Sequence, residues 1–82
     1  MLDSLRAAKK KTVGTKQSLK AVAKGNARIV FIAGDAEEHI TRALIKACDE
    51  NGVKIVRVDT MAALGDACGI EIGAAAAAIT EE

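Results

Sequence analysis

The chain has 82 residues, half of them hydrophobic and 28% charged, a size and composition that predict one folded domain over residues 1–82. So short a chain excludes a deep cavity between domains, and a single aromatic residue, Phe31, excludes a platform of rings for stacking bases. The formal net charge of +1 conceals an asymmetry. Residues 1–28 hold eight basic groups against Asp3, a balance of +7, while residues 29–82 hold four basic and ten acidic groups, a balance of −6. A basic third on an acidic chain points to a polyanionic partner met by one face, unless acidic neighbours in the fold neutralise it.

Leu2, Leu5 and Ala8 at helical spacing predict a short first helix, and Thr12–Val13 before Gly14 a stub of strand. Thr15–Lys24 reads as a helix with Leu19, Val22 and Ala23 as its apolar stripe and Gly25–Asn26 as its stop. Arg28–Ala33, with its IVFI run, is a buried strand. Asp35, followed three residues later by Glu38, predicts the capped start of a helix running to about Glu50 and ended by Asn51–Gly52. Val53–Val58 is a strand of mixed exposure, and Met61, Leu64 and Ala67 lie on one face of a further helix ended by Gly69. The alanine run within Ile70–Ile79 favours helix on intrinsic propensity. Its isoleucines and Gly73, however, predict a final central strand with small side chains. Alternating helices and strands place the chain in the α/β class.

Cys48 and Cys68 stand twenty positions apart and His39 is the only histidine, so no zinc-ligand spacing exists. The two thiols are expected to be buried apolar residues in a reducing compartment. MLDSLRAAKKK lacks the apolar stretch of a signal peptide, and Ala74–Ile79 is too short to cross a bilayer, which predicts a cytoplasmic protein with no membrane partner. No phosphate-loop, dinucleotide or nucleophile motif occurs, so neither an enzyme nor a cofactor is expected. Asp35 at a strand end invites comparison with phosphoryl-accepting aspartates, but no second carboxylate precedes it except Asp3 to hold Mg²⁺.

Two glycine-centred stretches carry the remaining signal. In TVGTKQSLKAVAKG, Gly14 turns the chain into a helix that Thr15 can cap. Lys16, Lys20 and Lys24 lie along one edge of that helix, with Gln17 beside them. A helix start bearing ammonium groups and an amide can hold phosphates and touch base edges, although the same pattern also fits a solvated lysine face. In LGDACGIEIG, Gly69 and Gly73 bracket Ile70–Glu71–Ile72, which by local signals is a helix end leading into a strand.

Taken together and in order, VGTKQSLKAVAKG and LGDACGIEIGAAAAAI, with FIAGDAEEHI and VKIVRV between them, resemble the kink-turn RNA-binding family of ribosomal large-subunit protein seven-Ae and its relative thirty-e, above all its short bacterial members. The resemblance spans nearly the whole chain. It implies a three-layer α/β/α sandwich around a mixed four-stranded sheet. It also implies binding to kink-turns, RNA duplexes bent at a bulge next to tandem sheared G·A pairs, in ribosomal or regulatory RNA. Nothing in the sequence demands a dimer, and a monomer without a metal site is expected. Carried over by motif, Gly14, Thr15, Lys16, Gln17 and Lys20 would enter the groove at the G·A pairs, with Lys24 reaching neighbouring phosphate. Gly69, Ile70, Glu71 and Ile72 would pack beside a flipped-out nucleotide, and Asp35 and Ala36 would form another edge of the RNA surface. Lys16–Gln17 stand where archaeal members carry Asn–Glu, a change expected to shift binding toward phosphate attraction and to steepen its salt dependence. A protein-docking adaptor of the same fold is the alternative role.

Overall fold

The computed structural model describes residues 2–81. Its elements are, in chain order, α1 (Leu2–Ala7), β1 (Lys10–Val13), α2 (Thr15–Ala23), β2 (Ile29–Ala33), α3 (Glu38–Asn51), β3 (Lys54–Val58), α4 (Met61–Ala67) and β4 (Ala76–Glu81). The strands form one mixed sheet in the order β1-β4-β2-β3, with β2 and β3 parallel and β4 antiparallel to both of its neighbours. Helices α2 and α3 cover one face and α1 and α4 the other, the three-layer α/β/α sandwich expected from the sequence.

Strand alternation divides the core between the two faces. Val30 and Ile32 of β2, with Ala76 and Ala78 of β4, pack against Val22, Leu44 and Cys48. Phe31 and Ala33, with Ala77 and Ile79, pack against Leu5, Leu64 and Ala67. Alanine is a poor strand former, but β4 lies between two strands and under two helical layers, where packing outweighs propensity. Its small side chains also make room. Phe31 sits directly across from Ala77, and the one aromatic ring of the chain is fully buried there. Of the two sheet edges, β1 carries a register shift at Lys10–Lys11 and β3 exposes Lys54 and Arg57, devices that discourage edge pairing with another chain.

Three local expectations change. The last strand begins at Ala76 and not at Ile70, because the preceding backbone bonds to α4 instead of to a neighbouring strand. The Ile70 N–H donates to the Gly65 carbonyl (3.1 Å) and the Ala74 N–H to that of Met61 (3.0 Å). Helix α3 begins at Glu38 after an N-cap at Glu37 with no side-chain capping bond, since the Asp35 carboxylate is engaged elsewhere. The buried stripe of α2 is Ser18, Ala21 and Val22, with Leu19 only half-buried and Ala23 exposed. Ser18 is tolerated in the core because its hydroxyl lies 2.9 Å from that of Thr12, so both are satisfied.

Cys48 and Cys68 are buried and free, and burial pushes both thiols above the ordinary range. His39 is exposed, within 3.2 Å of the Glu37 carboxylate.

Candidate nucleic-acid interface

The first part of the site is the start of α2. Gly14 adopts φ 100°, ψ 154°, a conformation costly for a side-chain-bearing residue, and this lets β1 turn directly into the helix. Its N–H donates to the Ala76 carbonyl at 2.8 Å, and its own carbonyl accepts from the Ser18 N–H at 3.1 Å. Gly14 is the N-cap, and among the described residues no side chain caps the helix. Thr15, expected as the cap, is instead the first helical residue, and its hydroxyl is buried without a partner among the described residues. The first turn holds no acidic residue and therefore keeps its N–H groups and positive dipole end uncompensated. Lys16, Gln17 and Lys20 are exposed beside it, and Lys24 is exposed at the other end of the helix. A lysine in a first helical turn is locally unfavourable by about 0.3–1 kcal/mol, a cost that an arriving anion reverses.

Acidic neighbours do not neutralise the basic third. Among the described residues, two of its eight cations have a carboxylate within 4.0 Å: Arg6 meets Asp66 at 2.7 Å and Lys10 meets Glu81 at 3.8 Å. The Asp66 partnership raises the Arg6 guanidinium above its usual value, through its hydrogen bond first and its charge second. Lys11 donates to the Leu5 carbonyl (3.1 Å) and so serves α1.

The second part is the loop between β2 and α3. Asp35 Oδ1 accepts the Met61 N–H at 2.7 Å, so this carboxylate caps α4 across the end of the sheet and not α3. Thr60 adds a local cap by accepting the Ala63 N–H at 3.0 Å. Ala36 is half-buried against the α1–α4 core, while Asp35, Glu37 and Glu38 make this edge acidic.

The third part is the segment after α4. Its two isoleucines take different roles: Ile70 is half-buried against the core, whereas Ile72 is 76% exposed. Gly69 and Glu71 are exposed beside them. The segment lies flat along α4 because Gly65 has no side chain. A Cβ there would sit 2.1 Å from the Ile72 carbonyl oxygen and 3.1 Å from Gly73 Cα.

Backbone hydrogen bonds join the three parts around the start of β4. Gly14 bonds to Ala76, Ala33 donates to Ala75 (2.9 Å), and Gly34 donates to Val58 (2.7 Å). Asp35 then holds Met61, whose carbonyl holds Ala74. The sequence-derived residues at the start of α2 and at 35–36 therefore meet at the end of the sheet where β1, β2 and β3 finish, the end at which open α/β sheets bind ligands, while 69–72 run back along α4 from Gly65 into that end at Ala74. Lys24 lies a helix length away. Gly65 and the capping role of Asp35 escape sequence reading, because both depend on contacts between segments distant along the chain. Among the described residues, no group of three or more His, Cys, Asp or Glu side chains could hold a metal ion, and no helix is long and apolar enough to cross a membrane.

The layered sheet, with an uncapped, lysine-flanked helix start at one end, places the chain among small α/β/α sandwich proteins. The chain belongs to the ribosomal protein L7Ae/L30e/S12e/Gadd45 family, whose family model matches residues 1–82. It is 54% identical over 69 residues to an RNA-binding protein of Caldanaerobacter subterraneus subsp. tengcongensis, a match covering 84% of each chain. It is 45% identical over 67 residues to the large ribosomal subunit protein eL8 of Halobacterium salinarum, covering 80% of this chain and 56% of that one. Among solved structures, the Giardia lamblia 15.5kD RNA binding protein superposes with a TM-score of 0.89 at 31% identity, over 99% of this chain and 71% of that one.

Proposed function

We propose that this chain is a single-domain, non-enzymatic RNA-binding protein that recognises kink-turns and stabilises their bent form, as a monomer, on ribosomal or regulatory RNA. The observation that carries this reading is the start of α2: an N-terminus with no capping side chain, flanked by exposed Lys16, Gln17 and Lys20, and bonded through Gly14 to the strand that follows the exposed Ile72. The names of its relatives as RNA-binding and ribosomal proteins support the same reading.

Bending a duplex sharply brings phosphates of its two arms together, and their repulsion opposes the bend. A helix N-terminus with ammonium groups offsets that repulsion in the bent form alone, so binding shifts the RNA toward it. Gln17 and the first-turn amides offer donors to base edges at the G·A pairs and so set the register. Ile72 gives an unstacked base an apolar surface without an aromatic ring, with Ile70 anchoring the loop from beneath. The acidic β2–α3 loop repels phosphate and accepts hydrogen bonds from base amines or 2′-hydroxyls, which orients the RNA. Lys20→Ala and Gln17→Ala, each assayed by titration against a kink-turn duplex, are expected to weaken binding about tenfold, a loss of roughly 1.4 kcal/mol. Unchanged affinity in both variants would remove α2 from the interface and favour a protein-docking role.

A further inference from the structure

A groove of about 430 Å³ runs down the flank of α2 from the candidate interface toward the opposite end of the sheet. Gln17 lines its upper part; Lys20, Lys24 and Asn26 follow along and beyond the helix; Lys10 and Glu81, at the start of β1 and the end of β4, close it. Three ammonium groups thus face one carboxylate. That carboxylate is a weak opponent, because Lys10 and Glu81 are 3.8 Å apart with side chains 75% and 49% exposed, a pair that an incoming anion readily separates. From Gln17 to Lys24 the groove follows the helix for about 10 Å, room for roughly two successive phosphates of one strand. Its lining has no exposed large hydrophobic side chain, and beside the Gln17 and Asn26 amides and the Thr12 and Thr80 hydroxyls it offers three ammonium groups, the chemistry that grips a phosphodiester backbone.

We infer that this groove is a second, sequence-independent RNA subsite that holds the backbone phosphates of one duplex arm leaving the kink. The inference rests on the RNA-binding reading above and extends it by Lys10 and Asn26, which lie outside the helix start and the apolar loop. Lys20 and Lys24 then act as a bridge: Lys20 belongs to both surfaces, and Lys24 points the strand toward Lys10. Glu81 limits the subsite's strength, so its removal tightens binding.

The test is a double-mutant design across protein and RNA. Wild-type, Lys10→Gln and Glu81→Gln proteins are titrated against a kink-turn with both arms long, and against versions with either arm trimmed to a few base pairs, at two salt concentrations fourfold apart. Loss of one phosphate contact lowers the salt slope by about 0.9, so the Lys10→Gln defect on the long-armed RNA should be about 3.5-fold larger at the lower salt. Trimming one particular arm should weaken wild type and abolish the difference between wild type and Lys10→Gln, while Glu81→Gln should bind the long-armed RNA more tightly than wild type. Indifference of wild type to both arm lengths, or a Lys10→Gln protein matching wild type in affinity and slope on the long-armed RNA, overturns the inference while leaving the kink-turn reading intact. Failure of wild type to bind any kink-turn overturns the reading itself. Inorganic phosphate is titrated in parallel by amide chemical shifts. Saturable shifts at Lys10 and Asn26 with phosphate, and none with the long-armed RNA, would make the groove a small-anion site and refute the RNA assignment.

Discussion

Replacing Gly65 by alanine separates the packing of the apolar loop from ordinary helix propensity. In an unencumbered helix the change stabilises by about 1 kcal/mol. Here the new Cβ would sit 2.1 Å from the Ile72 carbonyl oxygen, and backbone on both sides of that carbonyl is held by the Ile70–Gly65 and Ala74–Met61 bonds. The segment must retreat by about 1 Å, and overpacking of this kind costs about 1–3 kcal/mol. The net effect is a destabilisation of up to about 2 kcal/mol, which chemical denaturation reads directly. A second effect falls on RNA, because the retreat moves Ile72 away from the nucleotide it is proposed to cover. Losing a contribution of about 1.5 kcal/mol from one buried isoleucine lowers affinity about tenfold. Ala62→Gly, at an exposed position on the same helix, is the control: it costs about 1 kcal/mol of stability through propensity and leaves RNA binding unchanged. A Gly65→Ala protein that is more stable than wild type and binds RNA normally would refute the reasoning.

Asp35→Ala removes the acceptor for the Met61 N–H and is expected to cost about 1 kcal/mol in denaturant unfolding, the ordinary effect of losing a helix cap, and to loosen the apolar loop that Met61 supports through Ala74. Amide exchange should report this as faster exchange at Met61 and Ala74, with α3 unaffected; faster exchange at the start of α3 instead would place the cap on the wrong helix. Both cysteines are buried, so a thiol reagent should label neither in the folded protein and both after unfolding. Because burial raises both thiols above their unfolded value, the stability they contribute is complete below pH ~8.5 and is lost as pH rises through the folded values. A Cys48→Ala, Cys68→Ala protein should lack that part of the alkaline decline, as denaturation midpoints from pH 7 to 10.5 would reveal. Lys16→Asn with Gln17→Glu should flatten the salt dependence of RNA binding, and an equal or steeper slope in the double variant counts against phosphate attraction at the helix start.

The fold was largely legible in the sequence, since helices and strands alternate with clear hydrophobic periods and glycine stops. The alanine run was the hard segment: Ala76–Ala78 form strand because two helical layers bury both of their faces, a tertiary effect that opposes local propensity. The boundary at Ile70 was missed for a related reason, as Gly65 and Met61, several residues upstream, capture the backbone bonds that a strand would need. Asp35 and Glu38 carried the pattern of a capping pair, yet Asp35 faces the N-terminus of α4, 26 positions away, and no local rule weighs that competitor. The lysine edge and Gly14 were visible because they depend only on helical spacing and on a turn beside a strand. The groove between Lys10 and Lys24 was not, because it forms when β1, the end of β4 and α2 come together.

The most direct measurement is energy transfer between the labelled ends of a kink-turn duplex titrated with this protein, in parallel with a duplex whose tandem G·A pairs are replaced by Watson–Crick pairs. Tight binding with a rise in transfer for the first duplex, and neither for the second, is the expected result. Equal, weak binding to both duplexes without bending would contradict it and reduce the lysines of α2 to nonspecific attraction.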